Sequence, residues 1–182
     1  MHSHAPSGAV ATLPDQSTVI RRTPSTVDIG EVAIADDHRS LLIARALGSC
    51  VVCIWDPDAR VAGMLHFLMP DAPGGSVRPF TQPGAFADTG IPLLLEMAFR
   101  RGLRLGRTEA SVVGGAEMPN LNPAPEDLGR SNALAARDRL RAHGLLIARE
   151  DTGGTQGRSV YLCARTGRLR VRLDAPPRWP VG

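Results

Sequence analysis

From Val27 onward the chain runs as short apolar stretches broken by polar, glycine or proline residues. VDIGEVAIA, LLIARALGSCVVCIW and VAGMLHFLMP are each bounded by Asp, Gly or Pro, and this pattern predicts three or more strands. The turn DPDAR at residues 56 to 60 separates two of them. It predicts a hairpin-like arrangement that sets the end of one strand beside the next. After a Gly/Pro-rich stretch from Asp71 to Gly84 the period changes. In DTGIPLLLEMAFRRGLR, the residues Ile91, Leu94, Leu95 and Ala98 recur with the spacing of one helical face, and Gly102 stands near the end. In SNALAARDRLRAHG, Ala133, Ala136 and Leu140 share a face and Gly144 supplies the stop.

Four further strands follow from EASVVGGA, LLIARED, SVYLCAR and RLRVRLD. The last alternates Leu169, Val171 and Leu173 with Arg168, Arg170 and Arg172 in period two. That pattern reads as an antiparallel edge strand with its arginines in solvent, in preference to an anion-binding stripe. The elements together predict an α/β (α+β) fold: one compact mixed domain with strands packed against two main helices. A length of 182 residues suits a single core. Residues 1–26, rich in Pro, Ser, Thr and Ala, read as a disordered N-terminal tail, residues 27–174 as the domain, and residues 175–182 as a C-terminal tail.

Composition narrows the function. No apolar run is long enough to cross a bilayer, and the first residues lack a secretory pattern, so the expectation is a cytoplasmic protein with no membrane insertion. Three cysteines are too few and too oddly numbered for a disulfide framework. All 21 basic residues are arginine, so Schiff-base, Ser-Lys and phosphate-loop chemistries drop out for want of a lysine. The net charge of +3 does not by itself indicate nucleic acid, because the arginines are spread out and only 4% of residues are aromatic.

Cys50 lies where the small residues Gly48 and Ser49 lead into the apolar run Val51-Val52. Gly48 would let a substrate approach the backbone, and amides around Ser49 and Cys50 could stabilise an oxyanion. His66 is an isolated polar residue in an apolar strand. Taken singly, each has a plainer explanation as a buried inert thiol or a hydrogen-bonded core imidazole. On neighbouring strands they form a candidate catalytic pair, in which the imidazole takes the thiol proton and later protonates a leaving amine. Cys50-x2-Cys53 with His66 also fits three zinc ligands, but no fourth His or Cys follows, Asp71 would have to serve, and Val51-Val52 favour extended strand. No metal and no cofactor are therefore expected. His2 and His4 in the tail receive no role. DTGGTQGR at 151 to 158 reads as a tight connection, and GGAEM at 114 to 118 as a turn that lines a cleft.

In order, A-L-G-S-C at 46 to 50, W-D-P at 55 to 57, G-M-L-H-F-L-M-P at 63 to 70, V-G-G-A-E-M at 113 to 118 and D-T-G-G-T-Q-G-R at 151 to 158 resemble the CheD family of chemoreceptor glutamine deamidases. The resemblance implies a papain-like Cys-His arrangement in which Cys50 is the nucleophile and His66 its partner. It implies as substrate the cytoplasmic helices of methyl-accepting chemoreceptors, with a CheC-type phosphatase as a further partner. Two departures stand out. The family's threonine five or six residues before the nucleophile is replaced by Ala44 and Arg45, which leaves the histidine without that orienting group. The run after Cys50 is one residue shorter than the family's, and a slip of one residue reverses strand facing. Leu128-Gly129-Arg130-Ser131-Asn132 matches a further family pattern in part, keeping Asn132. An alternative function is a catalytically weakened CheD-like module that regulates the phosphatase.

Overall fold

Alternation along two hydrophobic strands sets the architecture. CVVCIWD forms β4 (Cys50–Asp56) and VAGMLHF forms β5 (Val61–Phe67), joined as an antiparallel hairpin by the expected turn. Nearly every residue in both is buried, which for strands means packing on two faces. The computed structural model describes residues 24–36, 40–46, 49–74, 82–117 and 127–174.

Before the hairpin come β1 (Ser25–Thr26), β2 (Val32–Ala35) and β3 (Leu41–Ala46). After it come α1 (Ala87–Phe99), a 3-10 turn (Leu105–Arg107), β6 (Glu109–Gly114), α2 (Leu128–Ala142), β7 (Leu146–Thr152), β8 (Arg158–Cys163) and β9 (Leu169–Leu173). The five-stranded sheet has the order β2-β5-β4-β6-β7 and the four-stranded one β1-β3-β8-β9. Neighbours are antiparallel except β6 with β7 and β1 with β3. The β6–β7 pair is parallel, and α2 lies in the crossover that such a pair needs.

The five-stranded sheet is the middle of three layers. Its β4 residues Val52 and Ile54 and its β5 residues Leu65 and Phe67 pack with Ile91, Leu94, Leu95 and Ala98 of α1 and Ala133, Ala136 and Leu140 of α2. These are the helical faces expected from their spacing. Val51, Cys53, Ala62 and Met64 pack the other way, against Leu42, Ala44, Val160 and Leu162 of the four-stranded sheet. Gly63 lets α1 come close, because a methyl group there would lie 2.8 Å from Leu94 Cδ1 and 2.9 Å from Ile54 Cγ1.

The mixed α+β fold with two helices matches the expectation, and β9 is an edge strand beside β8. Leu169 and Val171 of β9 reach the inter-sheet core, whereas Leu173 stays exposed. Within the span read as an N-terminal tail, Ser25–Thr26 form β1 alongside β3, while residues 1–23 and 175–182 lie outside the described residues.

Candidate active site around His66

The hairpin ladder pairs Val51 with His66 and Cys50 with Phe67. Residues opposite each other in an antiparallel pair point to the same face, and successive residues alternate. His66 therefore shares the face of Val51 and of Ser49, toward the four-stranded sheet. Cys50 shares the face of Phe67, toward the helices, and both belong to the helix-side core.

On its own face His66 is bonded at both ring nitrogens. Nδ1 lies 3.0 Å from the Val27 carbonyl oxygen, and Nε2 lies 2.8 Å from Ser49 Oγ. A carbonyl only accepts, so Nδ1 carries the hydrogen and donates it. Nε2 then holds a lone pair, and the Ser49 hydroxyl donates to it. Burial holds the imidazole below its ordinary pKa, outweighing the opposing Val27 hydrogen bond and the nearby Asp28 and Glu31 carboxylates. His66 is thus neutral at physiological pH, and its free basicity is aimed at a hydroxyl.

The backbone reinforces this placement. Gly30 N–H donates to the His66 carbonyl at 2.7 Å, and His66 N–H donates to the Glu31 carbonyl at 3.1 Å. At the far end of the hairpin, the buried Asp56 carboxylate accepts from the amides of Asp58, Ala59 and Arg104 and from the Arg107 guanidinium. Burial alone would raise that carboxyl, but the hydrogen bonds prevail and hold it below its usual range.

Cys50 has a different environment. Its thiol is fully buried, and desolvation pushes its pKa up to about 12, against the opposing fields of Arg158 and Arg137. The backbone of Gly115, at φ +63°, closes over it: a methyl group on Gly115 would lie 3.3 Å from Cys50 Sγ and 2.5 Å from the Gly129 carbonyl oxygen in the first turn of α2. The papain-like juxtaposition of thiol and imidazole expected from the sequence is not the arrangement of these strands. Adjacency is as expected and facing is not, because the pair is offset by one residue in the ladder.

Cys53 lies in the inter-sheet core, on the opposite face from Cys50, so the C-x2-C spacing is split across the sheet. Among the described residues no three His, Cys, Asp or Glu side chains gather as a metal site. Ala44, where the resemblance places a threonine, lies in the inter-sheet cluster with Val51 but brings only a methyl. The orienting bond comes instead from the Val27 backbone. The two glycine-rich turns meet near the start of β4: Gly115 N–H donates to the Ser49 carbonyl, Gly153 N–H to Gly114, and Glu117 N–H to Gly154. Asn132 Nδ2 donates to the Leu68 carbonyl at 2.8 Å, and its Oδ1 has no partner among the described residues. Leu47, Gly48 and Met118 lie outside the described residues.

Residues 68–173 match the family described as CheD chemotactic sensory transduction. A protein of Anaeromyxobacter dehalogenans named probable chemoreceptor glutamine deamidase CheD 2 is 38% identical over 148 residues, which is 81% of this chain and 92% of that protein. The chain belongs to the CheD family. A Solibacter usitatus CheD, also named a probable chemoreceptor glutamine deamidase, is 40% identical over 79% of this chain and 85% of its own. The Thermotoga maritima chemoreceptor glutamine deamidase CheD is 36% identical over 80% and 89%. Among solved structures, the Bacillus licheniformis hypothetical protein YfiH is similar at a TM-score of 0.44 and 14% identity, covering 69% of this chain and 51% of that one. That likeness is too loose to carry an argument.

In this CheD chain the residues missed by sequence reasoning are Ser49 as the group bonded to His66 and Val27 as its orienter. The shortened run after Cys50 was the one available signal for the first. For the second there was none, because a backbone carbonyl leaves no trace in residue identity.

Proposed function

We propose that this chain hydrolyses the carboxamide of selected glutamines in chemoreceptors, leaving glutamate and releasing ammonia. The observation that carries the reading is His66, neutral, buried and held at both nitrogens beside the Ser49-Cys50 dipeptide, in a chain similar over four-fifths of its length to proteins named chemoreceptor glutamine deamidases. Amide hydrolysis needs a nucleophile and a group that carries its proton to the departing nitrogen, and the imidazole is suited to that transfer.

The resemblance gives the attack to Cys50. On that assignment the start of β4 turns so that Sγ reaches the His66 face, where the imidazole can take its proton. The thioester then forms as ammonia leaves, and water cleaves it with His66 as base. The substrate would be the cytoplasmic helices of methyl-accepting receptors, which places the activity in the cytoplasm, and a CheC-type phosphatase is proposed as a further partner. The relatives' names favour this enzyme over a binding module that has lost catalysis.

The test is mass spectrometry of a cognate receptor's cytoplasmic fragment after incubation with the protein. A gain of ~1 Da per converted glutamine, with release of ammonia, supports the reading. Unchanged fragments from every receptor of the source organism would refute it.

A further inference from the structure

Resting on that reading, we propose that the outer face of the four-stranded sheet docks the receptor, with Arg45, Arg170 and Arg172 receiving carboxylates from an acidic helical surface near the target glutamines. The strand ladders define the face. Leu42, Ala44, Val160, Leu162, Leu169 and Val171 pack into the inter-sheet core, so by alternation their neighbours point outward. Two outward rows cross the sheet in register, Arg45 with Ser159 and Arg172, and Ile43 with Tyr161 and Arg170. The three arginines are exposed, and Ile43 and Tyr161 are half-buried. Both helices lie beyond the five-stranded sheet, so among the described residues no helix covers this face.

The charge on the face is uncompensated, unlike that elsewhere. Arg100, Arg101, Arg107, Arg137, Arg139 and Arg158 each pair with an Asp or Glu. Among the described residues Arg45, Arg170 and Arg172 pair with none. Asp174, just after β9, accepts from Ser159 Oγ at 2.6 Å and forms no ion pair with them. The terminal stretches 1–23 and 175–182 hold a single acidic side chain, Asp15, so neither can neutralise the patch. A second copy of a chain with net charge +3 is no better match.

An acidic partner from outside the chain is what the face fits, and the proposed substrate has that character. Each turnover replaces a neutral carboxamide with a carboxylate, so receptor helices gain negative charge as they are modified. Helix residues four apart lie about 6 Å apart on one side, close to the ~7 Å between alternate residues of an extended strand such as Arg170 and Arg172. Arg45 stands near the end of β3, from which the chain runs within a few residues into Ser49 and Cys50. A helix seated on the patch is therefore at the end of the molecule that holds the candidate site. Nucleic acid is a poorer occupant, because Tyr161 is the one aromatic side chain in these rows and stacking needs more.

The test uses the full chain and a labelled cytoplasmic fragment of a cognate receptor, with Kd from fluorescence anisotropy and kcat and KM from the mass gain. Exposed ion pairs are individually weak, so the three arginines are changed together. Wild type is compared with the triple Arg45→Glu, Arg170→Glu, Arg172→Glu, with the same positions changed to Lys, and with Arg141→Glu on α2 as a control, each checked by circular dichroism. Expected for the glutamate triple is a rise of about tenfold or more in Kd and KM, with kcat within about twofold. Wild-type binding should weaken several-fold as NaCl rises from about 0.05 to about 0.2 M, and the triple should lose that dependence. The lysine triple and Arg141→Glu should behave as wild type. If the glutamate triple binds and deamidates as wild type does, the inference falls and the deamidase reading stands. If wild type binds the fragment, the triple does not, and no glutamine is converted, the docking face stands and the deamidase reading fails. Weakening as great in the lysine triple or in Arg141→Glu overturns the face, as does failure of wild type to bind. So does a labelled DNA duplex that wild type binds more tightly than the fragment and the glutamate triple releases.

Discussion

Cys50 and His66 sit on adjacent, hydrogen-bonded strands and face opposite sides of one sheet. The imidazole, bonded to Val27 on one side and Ser49 on the other, does not meet the thiol that stands next to its partner in the chain. The reactivity of the individual cysteines follows from this.

Cys163 should be the thiol that reagents find first. It is half-buried, and hydrogen bonding from Thr166 holds its pKa below the ordinary value despite partial desolvation. Cys50 and Cys53 are sealed, and desolvation pushes both to about 12. Thiolate is the reacting form. Iodoacetamide at neutral pH should therefore modify Cys163 in the native protein and reach Cys50 and Cys53 only on addition of denaturant, as read by peptide mass. Early loss of the free Cys50 peptide would contradict the facing described here.

His66 ties activity to pH in a definite direction. Its basic form performs the proton transfer and burial lowers its pKa, so kcat/KM should rise from acid, reach half its plateau below pH 6.5 and stay flat through neutrality. A buried Cys50 thiol requiring ionisation would instead give a rate still climbing in the alkaline range.

The same histidine affects stability. Between its lowered folded value and its unfolded value the unfolded chain binds more protons, so stability rises with pH across that window. The charges of Asp28 and Glu31 oppose the effect without reversing it. Acidification through pH 6.5 should lower the urea midpoint of wild type, and His66→Gln should flatten that part of the curve.

Asp56→Ala should destabilise the hairpin by about 3 kcal/mol, because it strands three part-buried amide donors and the Arg107 guanidinium. The wild-type carboxylate, with its depressed folded value, contributes stability above its unfolded pKa that is lost as pH falls through the folded one. Denaturant titration near neutral pH gives the first quantity. A loss under about 1 kcal/mol would mean that Asp56 does not organise the turn.

Gly115→Ala combines a φ of +63° with a methyl 2.5 Å from the Gly129 carbonyl oxygen. Neither the strand end nor the first turn of α2 can yield cheaply, so a loss of more than about 2 kcal/mol is expected. Gly63→Ala keeps an ordinary φ and meets side chains in place of backbone, Leu94 Cδ1, Ile54 Cγ1 and Ile34 Cδ1, and should cost less. Thermal melts of the pair test the order.

Periodicity made much of the fold legible. Ile91, Leu94, Leu95 and Ala98 on one helix, and Ala133, Ala136 and Leu140 on the other, are buried as their spacing required. The DPDAR turn joins two strands because Asp56 caps it. Facing at the start of β4 was not legible, since Ser49, Cys50 and Val51 would suit either side and only the ladder decides. A sequence places chemistry in the right strands more readily than on the right face, because a shift of one residue changes the second and leaves the first alone. The parallel pairing of β1 with β3 was equally hidden, as two residues carry no period.

The segment from Val27 to Glu31 grips His66 through main-chain atoms: the Val27 carbonyl on Nδ1, the Gly30 amide on the His66 carbonyl, and the Glu31 carbonyl on the His66 amide. Alanine scanning leaves every one of these atoms in place, so at Val27 it would read the loss of a buried side chain and at Gly30, whose φ is +88°, backbone strain, and not the clamp itself. Its contribution is isolated by chemistry that edits the backbone itself, such as an ester in place of the peptide bond between Val27 and Asp28, which weakens the carbonyl as an acceptor. A proteolytic cut just after Glu31 would do the same to the whole clamp, leaving every titratable atom of the imidazole present and its tautomer unassigned.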